Sequence, residues 1–168
     1  TERKDTGRIY LMNVDHANDH GSFLPELAPI KMSNLCCEID LPTTPLESHD
    51  DPNGEISLCT LSAINWGLIN EPKDFEKYCD LAVRSLDELL DYQDYPVLAA
   101  QNGTMARRPL GIGIINLAYF LAKRGMKYDE SAFATVDEYA EAWSYNLIKV
   151  YATLAEEKGT ISKNNETK

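Results

Sequence analysis

The apolar positions change period several times along the chain, and the changes mark its elements. Ile9-Tyr-Leu-Met-Asn-Val14 is an apolar run of strand length behind Thr6-Gly7, ending in the polar cluster from Asp15 to Ser22, so a strand feeding a loop is expected. Pro25 and Pro29 break the next stretch. Asn34 to Leu41 then alternates loosely and stops at Pro42 and Pro45, which fits a strand or an extended loop. Glu47 to Gly54 is polar and acidic, with Asp50-Asp-Pro-Asn-Gly54 as a turn, and reads as an exposed, solvated loop. Glu55-Ile-Ser-Leu-Cys-Thr-Leu61 resumes as a buried strand.

From Asn70 the period becomes helical. Asn70 is a helix cap with Pro72 in the first turn, and Phe75, Tyr78, Cys79, Ala82, Leu86, Leu89 and Leu90 follow at helical spacing, giving a helix over about 71–91. Tyr92 to Arg108 reads as a polar connector carrying Pro96 and Gly103. Pro109 to Gly113 is apolar and glycine-marked, and a buried helix is expected over 114–124, closed by Gly125. Thr135-Val-Asp-Glu138 has the form of a capping box, and Tyr139, Ala142, Trp143, Leu147, Tyr151 and Leu154 carry the longest helix over about 136–158, up to Gly159. Thr160 to Lys168 is polar and aperiodic. No internal repeat is present, and strands alternating with helices predict an α/β fold.

Composition narrows the function classes. With 168 residues, 43% of them hydrophobic, the chain is long enough to bury a core without disulfide or metal staples. Its net charge of −11 provides no summed positive field to hold a nucleic-acid polymer or an anionic membrane, so neither is expected as a partner. No apolar run is long enough to span a membrane, and the charged first residues have no apolar stretch behind them, which predicts a cytoplasmic protein. Cys36, Cys37, Cys59 and Cys79 lack the close pairs of a zinc site, and no metal is expected. Cys79 sits on the helical stripe and reads as packing.

Several short motifs weaken on inspection. Gly111-Ile-Gly113 would need a third glycine at Asn116 to cradle a dinucleotide. His16 and His20, spaced i, i+4, would suit a metal only on a helix, and here they fall in a segment read as loop. Arg107-Arg108 is too small a basic patch to outweigh the acid around it. Ser33-Asn-Leu-Cys-Cys-Glu38 is different. On extended backbone Asn34, Cys36 and Glu38 share one face, so an amide, a thiol and a carboxylate stand together between prolines. That is either a polar strand edge with one buried thiol or the makings of an active site.

The segments Thr6-Gly-Arg-Ile-Tyr10, Asn13-Val-Asp-His16, Ser33-Asn-Leu-Cys36, Gly54-Glu-Ile-Ser-Leu-Cys-Thr-Leu-Ser-Ala63, Leu89-Leu-Asp-Tyr-Gln-Asp-Tyr-Pro96 and Leu110-Gly-Ile-Gly-Ile-Ile-Asn116 occur in this order across almost the whole chain. In this the sequence resembles the large catalytic subunit of class I ribonucleotide reductases, specifically the class Ia enzymes of enterobacteria and their phages. The resemblance implies part of a ten-stranded α/β barrel, incomplete in this chain. A finger loop through the barrel's centre would occupy about residues 30–45.

The resemblance also implies roles. Cys36 matches the cysteine that becomes a thiyl radical, Glu38 the general base, Asn34 the residue that hydrogen-bonds the substrate hydroxyl, and Cys59 one half of the redox pair. The other half of that pair lies outside this chain. Ser33 and Tyr10 are implied at the substrate, while Cys37 reads as packing. The activity implied is reduction of ribonucleoside diphosphates to 2′-deoxyribonucleoside diphosphates. The radical would come from a di-iron-tyrosyl small subunit, the reducing equivalents from thioredoxin or glutaredoxin, and ATP or dNTP effectors would bind elsewhere.

Residues 1–168 are accordingly expected to form a single segment of the catalytic barrel. The family's nucleotide-binding cone, effector site, radical-relaying tyrosine pair and C-terminal cysteine tail have no counterpart in this sequence. The first residue is not Met, which fits a central slice of a longer subunit working with complementary large-subunit segments. Two alternatives stay open: an inactive fragment that only completes the barrel, and a cobalamin-dependent class II segment, against which the class Ia motifs argue. A cysteine hydrolase built on Cys36 lacks a histidine partner.

Overall fold

A computed structural model describes all 168 residues. The elements in chain order are α1 (Glu2–Thr6), α2 (Val14–His20), β1 (Leu61–Asn65), α3 (Phe75–Tyr92), α4 (Leu98–Arg107), β2 (Gly111–Ile115), α5 (Leu117–Lys123) and α6 (Phe133–Lys158), with short 3-10 turns between some of them. They divide into two compact units. One comprises Thr1–Cys59, Asp94–Arg107 and Ile161–Lys168, the other Thr60–Gln93 and Arg108–Thr160. No helix is long and apolar enough to cross a membrane.

The second unit is the α/β part. β1 and β2 run parallel, from Leu61 opposite Gly111 to Asn65 opposite Ile115, and each keeps one edge unpaired, so the sheet is open and the α/β barrel incomplete. On α3 the side chains of Phe75, Cys79, Val83, Leu86 and Leu90 are buried at the spacing expected of one helical face. Trp66, 1% exposed, lies at the centre of the core. Its ring centroid stands 5.5 Å from Phe75, 5.4 Å from Phe120 and 6.5 Å from Trp143. Tilted and edge-on contacts of this kind are preferred by aromatic quadrupoles, and each fully buried large side chain contributes about 1.5–3 kcal/mol. Arg124 stacks 3.9 Å above the Phe120 ring while its guanidinium donates to the carbonyls of Ile69 and Asn70.

The first unit contains α1, α2, α4 and long irregular segments. Its buried hydrophobic residues are only Ala28, Ile30, Ala99 and Ala100. Polar contacts do more of the joining. Asn18 clamps Ile30 through two hydrogen bonds, of 2.8 and 2.9 Å, and Lys168 caps the carbonyl end of α2 at Asn18 and Asp19. The antiparallel bridges Phe23–Thr167 and Thr44–Glu55 complete it.

Several expectations shift. Residues 9–13 form no strand, because no other strand of this chain lies beside them, and Ile9, Tyr10 and Leu11 are exposed. The strand expected over 55–61 is displaced to 61–65. Residues 56–59 run without a strand partner, with the Ile56 amide donating to Ala99 of α4. Within the presumed connector 92–108 lies α4, whose apolar residues are mostly alanines too small to mark a stripe. Gly103 lets α4 pack there, since a Cβ at that position would sit 2.5 Å from the Ile56 carbonyl oxygen. The helix expected from 114 begins at Leu117, because β2 runs to Ile115 and Asn116 breaks it in the left-handed conformation at φ 65°. The last helix starts at Phe133 and not at the Thr135 box, since Asp129 already accepts the Ser131 amide one turn earlier.

Candidate functional site

The loop that carries the three candidate groups leaves the Asn18–Ile30 clamp and turns sharply at residues 34–37. There the Cys37 amide donates to the Asn34 carbonyl at 3.0 Å, and Cys37 adopts φ 63°. The segment is therefore a tight turn and not the extended strand expected, and a left-handed residue is what reverses it. Asn34 and Glu38 still end up together, through the turn and not through strand alternation.

Asn34 organises this turn. Its Oδ1 accepts the backbone amides of both Glu38 and Ile39 at 3.1 Å. With the carbonyl side committed, Nδ2 faces the other way and donates to Glu38 Oε1 at 2.6 Å and to Cys59 Sγ at 3.7 Å. One amide thus touches the candidate base and the candidate redox thiol. Ser33 donates its hydroxyl proton to the Ile39 carbonyl at 2.9 Å and braces the turn from behind. Cys36 is exposed at the turn, as is Cys59 on its own segment, while Cys37 is half-buried. Burial pushes the Cys79 thiol up to about 11, in keeping with its place in the core.

A cavity of about 320 Å³ lies beside the turn, lined by Ser33, Asn34, Thr44, Glu55 and Cys59 among others. Cys36, Glu38 and Tyr10 do not line it. Tyr10 stands 61% exposed on the segment before α2. His16 and His20 do lie on a helix, the condition their spacing required, with rings 5.8 Å apart. Nowhere does a group of three or more His, Cys, Asp or Glu assemble that could hold a metal ion.

One constellation escaped the reading of the sequence. Arg107, its side chain 6% exposed, donates to Glu166 Oε2 at 2.8 Å and to Glu55 Oε2 at 2.9 Å. Lys163 joins Glu166 at 3.1 Å. Burial pushes the Glu166 carboxyl up, but hydrogen bonds from Arg107 and Lys163 outweigh it and hold it below the ordinary carboxylate range. Glu55, expected at the head of a strand, belongs instead to a buried ion cluster, and Asp51 within the loop expected to be solvated over 47–54 is buried too. The available signal was Glu55 heading an apolar run; Arg107, 52 positions further along, and Glu166, another 59 beyond that, were not visible as its partners.

With this geometry in hand, comparison with known proteins is decisive. The family model for the ribonucleotide reductase barrel domain matches residues 1–168. This chain belongs to the ribonucleotide reductase family. The ribonucleoside-diphosphate reductase subunit alpha of Haemophilus influenzae is 56% identical over 167 residues, 99% of this chain and 22% of its own length. Ribonucleoside-diphosphate reductase 1 subunit alpha of Escherichia coli is 55% identical with the same coverage. The subunit alpha of Enterobacteria phage T4 is 42% identical over 171 residues, covering all of this chain and 22% of the phage protein. The chain therefore spans about 22% of the length of the reductase subunits it matches.

Proposed function

We propose that this chain supplies the finger-loop part of a ribonucleoside-diphosphate reductase large subunit, with Asn34, Cys36, Glu38 and Cys59 as its reacting groups. The observation that carries the reading is the Asn34 amide, which joins Glu38 and Cys59 at one turn in a chain matched throughout by the barrel-domain family. In the proposed reaction a Cys36 thiyl radical takes the hydrogen from C3′ of the ribose, and Glu38 takes the 3′-hydroxyl proton. Asn34 and Ser33 orient the sugar, with Tyr10 a candidate contact in the assembled barrel. The 2′-hydroxyl leaves as water. Cys59 and a second thiol outside this chain give up two electrons and become a disulfide, and Cys36 recovers its thiyl state when hydrogen returns to C3′.

Reduction of the disulfide falls to a dithiol protein of the thioredoxin or glutaredoxin kind. Initiation of the radical falls to a di-iron-tyrosyl small subunit, with ATP or dNTP effectors acting at sites beyond residues 1–168. Complementary large-subunit segments would close the barrel, in the cytoplasm of a bacterium or a phage-infected cell.

The test is ribonucleoside diphosphate reduction by this chain reconstituted with the remaining large-subunit segments and the small subunit. Cys36→Ser is expected to lower turnover on the order of a thousandfold or more. Substantial retained turnover overturns the assignment. Assembly without any turnover, indifferent to both Cys36 and Cys59, would instead make the chain a structural filler, and a requirement for added cobalamin would move it to class II.

A further inference from the structure

The two segments that meet at Asn34 and Cys59 are joined again along the same cavity, at Ser57 with Pro42 and at Thr44 with Glu55. Thr44 and Glu55 exchange backbone hydrogen bonds of 3.0 Å in both directions, and the Thr44 hydroxyl donates to Glu55 Oε2 at 3.3 Å. Both residues line the cavity with Asn34 and Cys59. Glu55 lies four positions before Cys59, and Thr44 closes the stretch that begins with the turn at Asn34. The spacing between the two cavity walls therefore depends in part on how firmly Glu55 is held.

The nearest cation to Glu55 is Arg107, with Lys163 farther off at 3.7 Å. Arg107 Nη1 binds Glu55 Oε2 at 2.9 Å, while its Nε and Nη2 bind the two oxygens of Glu166 at 2.8 and 3.3 Å. Glu166 is itself anchored, because its carbonyl accepts the Leu24 amide at 2.7 Å and its carboxylate binds Lys163. A planar guanidinium with donors on both sides fixes the two carboxylates relative to each other, which a flexible ammonium cannot do. In a unit whose buried hydrophobic residues are three alanines and an isoleucine, polar contacts fix the wall: this ion cluster, the Ser57 hydroxyl donating to the Pro42 carbonyl at 2.7 Å, and the Ile56 amide donating to Ala99.

We propose that Arg107 is a positioning residue for the site: by pinning Glu55 to Glu166 it sets the separation of the walls that carry Asn34 and Cys59. The proposal rests on the reading that Asn34 and Cys59 belong to the reacting site. Arg107 touches none of the reacting groups and acts through Glu55 alone.

The experiment uses the full chain, labelled with nitrogen-15, and reads two things by NMR: hydrogen exchange at the Thr44, Glu55 and Ile30 amides, and the side-chain amide resonance of Asn34. Arg107→Met is expected to speed exchange at Thr44 and Glu55 about tenfold or more and to move the Asn34 resonance toward its position in Cys59→Ala. The Ile30 amide, held by Asn18 outside the cluster, should keep its protection. Glu55→Gln must reproduce the Asn34 shift, although it leaves Glu166 joined to Arg107 and Lys163. An unmoved Asn34 resonance in both variants overturns the proposal, as does equal acceleration at Ile30, Thr44 and Glu55 in both, which would make the cluster general support for the unit. Should Arg107→Met unfold the unit, Glu55→Gln decides alone by the same two readouts. No turnover is measured, so failure here leaves the reductase reading standing, and failure of Cys36→Ser to abolish turnover leaves this geometry standing.

Discussion

The two units are built on opposite principles. The α/β unit buries Trp66, Phe75, Phe120, Ile69, Leu90 and Val83 almost completely, and its stability is largely that of an aromatic and aliphatic core. The loop unit buries no aromatic ring, and its interior is a salt-bridged Arg107, Glu55 and Glu166 together with an amide clamp at Asn18. Even the neighbouring arginines part company: Arg107 serves the loop unit, while Arg108 donates to Asp87 and Asp91 in the other. Apolar packing is non-directional and tolerates small displacements, whereas hydrogen-bonded ion clusters demand one geometry. The candidate reacting groups stand in the unit held by directional contacts, where position is specified closely even though little apolar surface is buried.

Substitutions can break this contrast. The largest effect is expected from Trp66→Ala, which removes the ring that four other aromatic residues contact and should cost about 3–5 kcal/mol in a urea titration followed by near-ultraviolet circular dichroism. A loss smaller than that of any loop-unit variant would contradict a core-dominated α/β unit. Glu166→Gln comes next, at about 1.5–3 kcal/mol near neutral pH, because a buried charged hydrogen-bond partner is lost. Its sign with pH is distinctive. The folded Glu166 carboxyl lies below its ordinary value, so its contribution is present above the ordinary carboxylate range and disappears as pH falls through the lowered value. The urea midpoint of the parent chain should therefore drop on the acid side more steeply than that of Glu166→Gln, and parallel pH curves would remove Glu166 from the cluster. Lys149→Gln marks the lower end. Its 2.9 Å pair with Glu76 is solvent-exposed, and the midpoint should not move measurably.

The same contrast explains what could be read from the sequence. α3 and α6 were legible because long apolar stripes leave a period that local residues alone reveal, and Gly159 closes α6 where expected. α4 was not, since alanines and Gly103 leave no stripe, and neither was β2, whose five residues merge into the apolar start of α5. The grouping of Asn34 with Glu38 was legible from residue types, but for the wrong backbone: it depends on a left-handed Cys37, and nothing in that residue announces the conformation. The cluster at Arg107 was invisible for a deeper reason. A charged residue looks the same in a sequence whether it meets solvent or a partner 59 positions away.

The parallel pairing of β1 with β2 also has a consequence in time. Leu61 and its partner Gly111 are 50 positions apart, so β1 leaves the ribosome well before the strand that will pair with it exists. At elongation rates of about 5–20 residues per second, that interval lasts roughly 3 to 10 s. During it the nascent chain presents Ile64 with no strand beside it, and α3, whose backbone bonds are local, is the element able to form first and shield it. The order of synthesis thus places the helix as a temporary guardian of the strand.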